Sequence, residues 1–229
     1  MEYLQNLSLT STASHLQEAE KLSGWKWEPE VFAMDAALWQ VLRPSRFNYD
    51  AMHCLWNNGI ACLELGLFWQ AASANGVQRA DLQTFLDASW EPSMQIGSAG
   101  NLKSLAHPKL LKTDGSDFRA DADQTLQLMV LMTFFAQQLL SDVDALKDNI
   151  ASLVALNNVC VKILNAKIHP HDAAGLVQLQ EQHLRLFKIC YSEHWVRPKH
   201  HYSMHIEGQV ELADMVLDTC SANQTLARI

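Results

Sequence analysis

Apolar residues recur at helical spacing over two long proline-free stretches, residues 120–140 and 142–167. In the second stretch the apolar set repeats every three or four residues: Val143, Leu146, Ile150, Leu153, Leu156 and Ile163. That period places the set on one face of a helix. A third helix is predicted after the break at His169-Pro170-His171, with Asp172 as its N-cap and an end near His194. Short connections predict antiparallel packing of the three helices.

The first half of the chain also favours helices. We predict helices over residues 12–23, from Asp50 to about Ala74, and over 80–90, with Asn75-Gly76 as a left-handed end of the second. Residues 93–115 are rich in Gly and Pro and are typical of a loop. Only residues 31–36 and 46–50 remain as candidate strands. The sequence therefore predicts a mainly α protein with one or two strands at most.

Composition limits the partners. The 229 residues are 48% hydrophobic and 18% charged, with a formal net charge of -8. An acidic surface repels phosphate backbones, and only the stretch from Arg185 to Lys199 leans basic. We therefore expect no strong autonomous nucleic-acid binding. A protein partner or an oligomer stays open.

The cysteines and the termini bear on location. Five cysteines are an odd number, and none forms a Cys-x-x-Cys pair (Cys54, Cys62, Cys160, Cys190 and Cys220). No basic, apolar leader opens the chain at Met1. The most apolar run, Leu126 to Phe135, is shorter than the roughly 20 residues that span a bilayer. These features predict a reduced, intracellular protein without a membrane span.

Two short segments carry residues suited to chemistry. In the first, Asp50 and His53 stand three apart where a turn-like stretch meets an apolar helix. Asp50 suits a metal ligand, but aspartate is also a preferred N-cap, and His53 suits a packed interior histidine equally well. In the second, His201 and His205 are four apart and share one face of a helix. That pair suits one metal ion, and the alternative is a histidine-rich helix edge with an interior imidazole.

Both segments resemble RNase H-like, DDE-type cut-and-paste transposases, such as those of CACTA and related eukaryotic elements. The run Tyr49 to Cys54 resembles the Asp-x-Met-His run near that family's second catalytic aspartate, and residues 198–205 resemble its Pro-Lys-x-His-x-x-x-His segment. The resemblance implies that Asp50 binds Mg²⁺ or Mn²⁺ and that His53 is a packing group or a zinc ligand. It implies a structural zinc site for His201 and His205, but the family's Cys-x-x-Cys is absent, so zinc is not favoured.

The resemblance also implies an architecture. Residues 1–24 would be an N-terminal helix and linker, and residues 25–75 a partial RNase H-like segment that carries Asp50 and His53. Residues 76–195 would be a large helical insertion, and residues 196–229 a histidine-rich C-terminal segment. A nuclear location follows from the resemblance alone, since no localisation signal is seen in the sequence.

The family's catalytic set is incomplete in this sequence. Asp35 is the only acidic candidate just upstream of Asp50, and it lies too close to belong to an opening strand. The final glutamate is expected near Leu217-Asp218-Thr219, where Ser221-Ala222-Asn223-Gln224 follows instead. One carboxylate cannot hold two ions. We therefore predict a truncated, degenerate transposase remnant that does not cleave or transfer DNA.

Two alternatives lie in other classes. A co-opted helical interaction module would use tryptophans as anchors, although tryptophans are more often core residues: Trp25, Trp27, Trp39, Trp56, Trp69, Trp90 and Trp195. An unrelated hydrolase or metal enzyme is disfavoured, because the chain has no nucleophile elbow, phosphate loop or His-Glu-x-x-His run.

Overall fold

The computed structural model describes residues 12–23, 50–89, 118 and 120–210. All regular structure in these residues is helical, and no strand occurs among them. The mainly α prediction is therefore confirmed. The candidate strands at 31–36 and 46–50 lie outside the described residues except for Asp50, so the RNase H-like core stays a prediction.

Seven α-helices, one π-helix and a further helical stretch at residues 206–210 form the described part of the chain. The α-helices are α1 (Ala13–Ser23), α2 (Ile60–Ala74), α3 (Arg79–Ser89), α4 (Ala122–Leu139), α5 (Lys147–Ile168), α6 (Leu176–Tyr191) and α7 (Pro198–Ser203). The π-helix, Met52–Trp56, precedes α2. Short 3₁₀ turns, Asp144–Leu146, Pro170–Ala173 and Glu193–Trp195, precede α5, α6 and α7. Helices occur in each of the described ranges where one is predicted, although the one predicted from Asp50 to Ala74 is interrupted.

Helix α2 lies at the centre of the fold. Its residues 60–69 are buried without interruption, which is typical of a helix that is surrounded on all sides. It contacts the π-helix, α4 and α5. The backbone N–H of Phe118, itself buried, donates to the Cys62 carbonyl across 3.1 Å. One apolar core joins these elements, from Cys54 in the π-helix to Ile206 beyond α7.

Helices α5 and α6 form an antiparallel hairpin, and it is the most extensive helix pair in the described residues. The apolar stripe predicted for α5 faces the core: Leu146, Leu153, Leu156 and Ile163 are buried, and Val143 and Ile150 are partly buried. The segment Asp144–Ala166 is long and apolar enough to cross a bilayer by length and composition. Its buried stripe is that of a core helix, so the fold is compatible with a protein outside membranes.

The ends of the helices settle two predictions. Gly76 has φ +87°, so the left-handed end predicted for α2 is confirmed. The prediction of Asp172 as the cap of α6 is wrong, because Asp172 lies in the preceding 3₁₀ turn. Both oxygens of Glu207 accept there instead, from the N–H groups of Gly175 (3.1 Å) and Val177 (2.6 Å). A carboxylate distant in sequence thus neutralises the positive end of α6.

The prediction of one continuous helix from Asp50 to Ala74 is also wrong. A bend at residues 57–59 separates the π-helix from α2. Asn57 is extended and Asn58 has φ +50°, a left-handed conformation that non-glycine residues adopt at a cost. A Cβ at Gly59 would lie 2.3 Å from the Leu55 carbonyl carbon, so only glycine permits this close approach.

Candidate functional site

The first predicted motif lies on the π-helix. In this helix the Asn57 N–H donates to the Met52 carbonyl across 2.8 Å, a bond that spans five residues. Cys54, Leu55 and Trp56 are buried on its inner side, whereas Met52 and His53 are exposed. Single π-turns inside helical segments occur frequently at functional sites. The local structure therefore directs the motif residues to the surface.

Asp50 and His53 contact each other directly. His53 Nδ1 lies 2.6 Å from Asp50 Oδ2, and the two side chains are 55% and 54% exposed. Asp50 Oδ1 accepts from the Met52 N–H across 2.8 Å, so the carboxylate also caps the helix start. The hydrogen bond from His53 lowers the pKa of Asp50, against a smaller effect of burial. The capping interpretation of Asp50 is thus confirmed, and the interior interpretation of His53 is wrong.

The second motif packs against the first. Helix α7 contacts the π-helix, and Lys199 Nζ donates to the carbonyls of Asn57 (3.2 Å) and Asn58 (2.8 Å). These two carbonyls belong to the bend, where the regular helical hydrogen bonds stop. Two segments more than 140 residues apart in sequence therefore form one surface. Helix α1 also contacts α7.

His201 and His205 also meet, although α7 ends at Ser203. Their Nε2 atoms are 3.3 Å apart, with the rings nearly perpendicular at 85°. Burial, and then the neighbouring His205, lower the pKa of His201. Two zinc–nitrogen bonds of about 2.1 Å at a tetrahedral angle would separate the nitrogens by about 3.4 Å. The pair thus has the spacing of two ligands of one ion.

The predicted ligands do not converge on a larger metal centre. Among the described residues, no three His, Cys, Asp or Glu side chains are placed to hold one ion. Cys54, the cysteine of the π-helix, is buried, and desolvation raises its pKa to about 11 despite the nearby Lys199. Asp50 and His53 offer one carboxylate and one imidazole. This donor set fits one divalent ion completed by water but does not fit a two-ion catalytic centre.

The remaining histidines and tryptophans have plainer positions. His169 and His171 are exposed around the break between α5 and α6. Trp56 and Trp69 are buried in the core, in agreement with the core interpretation, while Trp195 is half-buried. Trp25, Trp27, Trp39 and Trp90 lie outside the described residues. Cys54, Cys62 and Cys160 are buried as free thiols, and Cys190 is half-buried.

A second polar cluster lies in the interior. Glu64 on α2 has a fully buried side chain, and its Oε2 lies 2.6 Å from Nε2 of buried His183 on α6. Its Oε1 accepts from the Ser152 hydroxyl of α5, also across 2.6 Å. The cluster thus ties three helices together at the centre of the fold.

His200 of α7 extends this cluster toward the surface motif. Its ring stacks on His183 at 6.3 Å and 11°, and lies 4.8 Å from the ring of Phe187. Its Nδ1 accepts from the Arg197 N–H, and its buried Nε2 has no hydrogen-bond partner among the described residues. Burial first, and then the charge of His183, lower the pKa of His200 to about 3. His200 is therefore held neutral.

The sequence contained a signal for Glu64 that was not used. Glu64 is the only charged residue between Ile60 and Trp69, in an otherwise apolar helix. A lone carboxylate on an all-round buried helix requires a buried partner. No comparable signal identified His183, which stands among other polar residues of α6.

The chain matches no protein-family model, no curated protein and no solved structure.

Proposed function

We propose that this chain is a transposase-related helical protein that does not cleave DNA. The observation that supports the proposal is the contact between its two motif segments, made by Lys199 with the carbonyls of Asn57 and Asn58. Both segments were identified by their resemblance to DDE-type transposases, and the fold places them on one surface. A nuclear location belongs to the same proposal.

The donor set supports the absence of DNA cleavage. Strand transfer by two metal ions needs several carboxylates around the reacting phosphate. The π-helix segment and α7, which Lys199 joins, form what we call the motif surface. Asp50 is its carboxylate, and one oxygen of Asp50 already caps the π-helix. With His53 it would hold at most one Mg²⁺ or Mn²⁺, and His201 and His205 would be the zinc-type pair. Neither pair supplies what an in-line displacement requires.

A plasmid-nicking assay tests this proposal. Wild type, Asp50→Ala and Asp144→Ala are incubated with supercoiled DNA in Mg²⁺ or Mn²⁺; Asp144 is an exposed carboxylate outside the motif surface. We expect the same background in all three proteins. Metal-dependent nicking that disappears in Asp50→Ala and persists in Asp144→Ala would overturn the proposal and make the chain a nuclease.

A helical protein-interaction module is the second candidate. Several large apolar side chains are exposed on the described helices, including Phe134 and Leu139 on α4 and Ile189 on α6. The Phe134 ring is 40% exposed while it packs at 5.6 Å against Phe85 of α3. Solvent-exposed aromatic rings are frequent anchors of protein interfaces. The buried Trp56 and Trp69 cannot serve as such anchors without unfolding.

Sedimentation and affinity capture test the second candidate. Wild type is compared with Phe134→Ser and with the control Val161→Ser, an exposed apolar residue on α5. We expect self-association or a captured partner that is lost in Phe134→Ser alone. A monomer that captures nothing, or equal behaviour of the two variants, would exclude α4 as the interaction surface.

A further inference from the structure

Four hydrogen bonds lead in sequence from Lys199 to His53. Lys199 Nζ donates to the Asn57 carbonyl (3.2 Å), and the Asn57 N–H donates to the Met52 carbonyl (2.8 Å). The Met52 N–H donates to Asp50 Oδ1 (2.8 Å), and Asp50 Oδ2 pairs with His53 Nδ1 (2.6 Å). Asn57, Met52 and Asp50 thus each take part in two consecutive hydrogen bonds of the series.

The bend that Lys199 contacts is not stable by local preference. Asn58 has φ +50°, a left-handed conformation that non-glycine residues adopt at a cost. The carbonyls of Asn57 and Asn58 lie outside the helical hydrogen-bond ladder and both accept from one ammonium group. Hydrogen bonds to charged donors stabilise more than neutral ones. Lys199 is thus the group that compensates the bend.

The backbone of the bend packs directly against the backbone of the π-helix. Gly59 approaches the backbone of Leu55 so closely that no side chain fits between them. Lys199 itself is anchored, because the next residue, His200, is buried against Phe187 and His183. Helix α7, held in place by His200, therefore sets the position of the bend at residues 57–59.

We infer that Lys199 is the positioning residue of the Asp50–His53 pair, acting through the bend and the π-helix. The inference rests on the proposed function, in which this pair is the part of the motif surface that meets a ligand. Lys199 does not touch that ligand. It fixes the bend at Asn57 and Asn58, and through the bend the π-helix whose start Asp50 caps, and thereby keeps the carboxylate and the imidazole paired and facing solvent.

Lys199→Met removes the donors at nearly constant length, Lys199→Arg keeps them, and Lys147→Met is the control. Lys147 is an exposed lysine at the start of α5 that pairs with Asp144 of the preceding 3₁₀ turn. It is remote in sequence from both motifs. Two nuclear magnetic resonance signals report the effect: hydrogen exchange of the Asn57 amide, and the His53 Nδ1 proton that the Asp50 contact protects. Thermal unfolding reports overall stability.

In Lys199→Met we expect Asn57 amide exchange to accelerate about tenfold or more, as loss of a charged hydrogen bond implies, with unchanged exchange in α5. The His53 Nδ1 signal should disappear. Lys199→Arg should restore both signals, and Lys147→Met should change neither. Unchanged signals in Lys199→Met, failure of Lys199→Arg to restore them, or uniform acceleration throughout the protein would overturn the inference.

Two additions keep the outcome decisive. If Lys199→Met does not fold, Lys199→Gln is compared with Lys199→Arg in the same way. Mn²⁺ is then added as the ligand probe, and we expect it to broaden the His53 signals in wild type and Lys199→Arg more than in Lys199→Met. Absence of broadening in every protein would count against a ligand at the pair, whereas the exchange rates decide the role of Lys199 independently.

Discussion

Two carboxylate–histidine pairs in the described part of the chain have the same 2.6 Å separation in opposite environments. Asp50, just before the π-helix, and His53, on it, are more than half exposed, whereas Glu64 and His183 are almost completely buried between α2 and α6. In water the attraction between such groups is screened, and in the interior it is strong but opposed by the loss of hydration. Equal distances therefore imply different roles. The exposed pair is available for binding, and the buried pair holds helices together.

The largest effect is expected from breaking the buried pair on one side. His183→Leu leaves the Glu64 carboxylate buried without its partner, which should cost about 3–5 kcal/mol of unfolding free energy. Glu64→Leu combined with His183→Leu should recover much of that loss, because no uncompensated charge remains. Urea unfolding measures both. Equal stability of the single and double variants would show that the pair itself contributes most of the energy.

The second prediction concerns pH and the histidine above the buried pair. His200 has a pKa of about 3 in the fold, against an ordinary value of 6.5. Between these values the unfolded chain binds a proton and the folded chain does not, so stability falls as the pH falls below about 6.5. The slope should reach about 1.4 kcal/mol per pH unit.

Unfolding of wild type and His200→Phe at pH 7.5, 6.0 and 5.0 isolates this contribution. We expect the difference between the two proteins to shrink or reverse as the pH decreases. A control variant, His171→Phe, changes an exposed histidine and is measured under the same conditions. Parallel curves for wild type and His200→Phe would assign the acid sensitivity to other groups.

The third prediction concerns Glu207, a carboxylate whose burial is intermediate between that of Glu64 and that of Asp50. Glu207 is half-buried and accepts from two backbone N–H groups at the start of α6. Glu207→Gln weakens both bonds and removes the charge from the positive helix end, so a loss of about 1 kcal/mol is expected. Glu193→Gln, at an exposed carboxylate, should change stability far less. Chemical denaturation of both variants makes the comparison.

The smallest effect is expected at the exposed pair. A double-mutant cycle with Asp50→Ala and His53→Ala should give a coupling free energy below about 1 kcal/mol, because solvent screens the interaction. Asp50→Ala alone should cost more than His53→Ala, since only Asp50 also caps the π-helix. A coupling as large as that of Glu64 and His183 would mean that the motif is a structural element rather than an exposed binding group.

The local outcomes were predictable where the sequence itself specifies them. The stripe from Val143 to Ile163 gave α5, and Asn75-Gly76 gave the end of α2, since periodicity and glycine geometry act within a few residues. The capping role of Asp50 was one of two stated alternatives. The cap of α6 was not predictable, because Glu207 lies 30 residues or more in sequence from the N–H groups whose hydrogen bonds it accepts, and Asp172 is the nearer carboxylate.

The sequence by itself determined the helical class and supplied the residue types of the two motifs, but it did not determine which of their side chains are exposed. Tertiary structure alone decided three features: the bend at Asn58, the hydrogen bonds from Lys199 to that bend, and the buried contacts of Glu64 with His183 and Ser152. The physical reason is that propensity and period depend on neighbours along the chain. The stability of a buried charge or a strained turn depends on which distant donor the packing brings within hydrogen-bond distance.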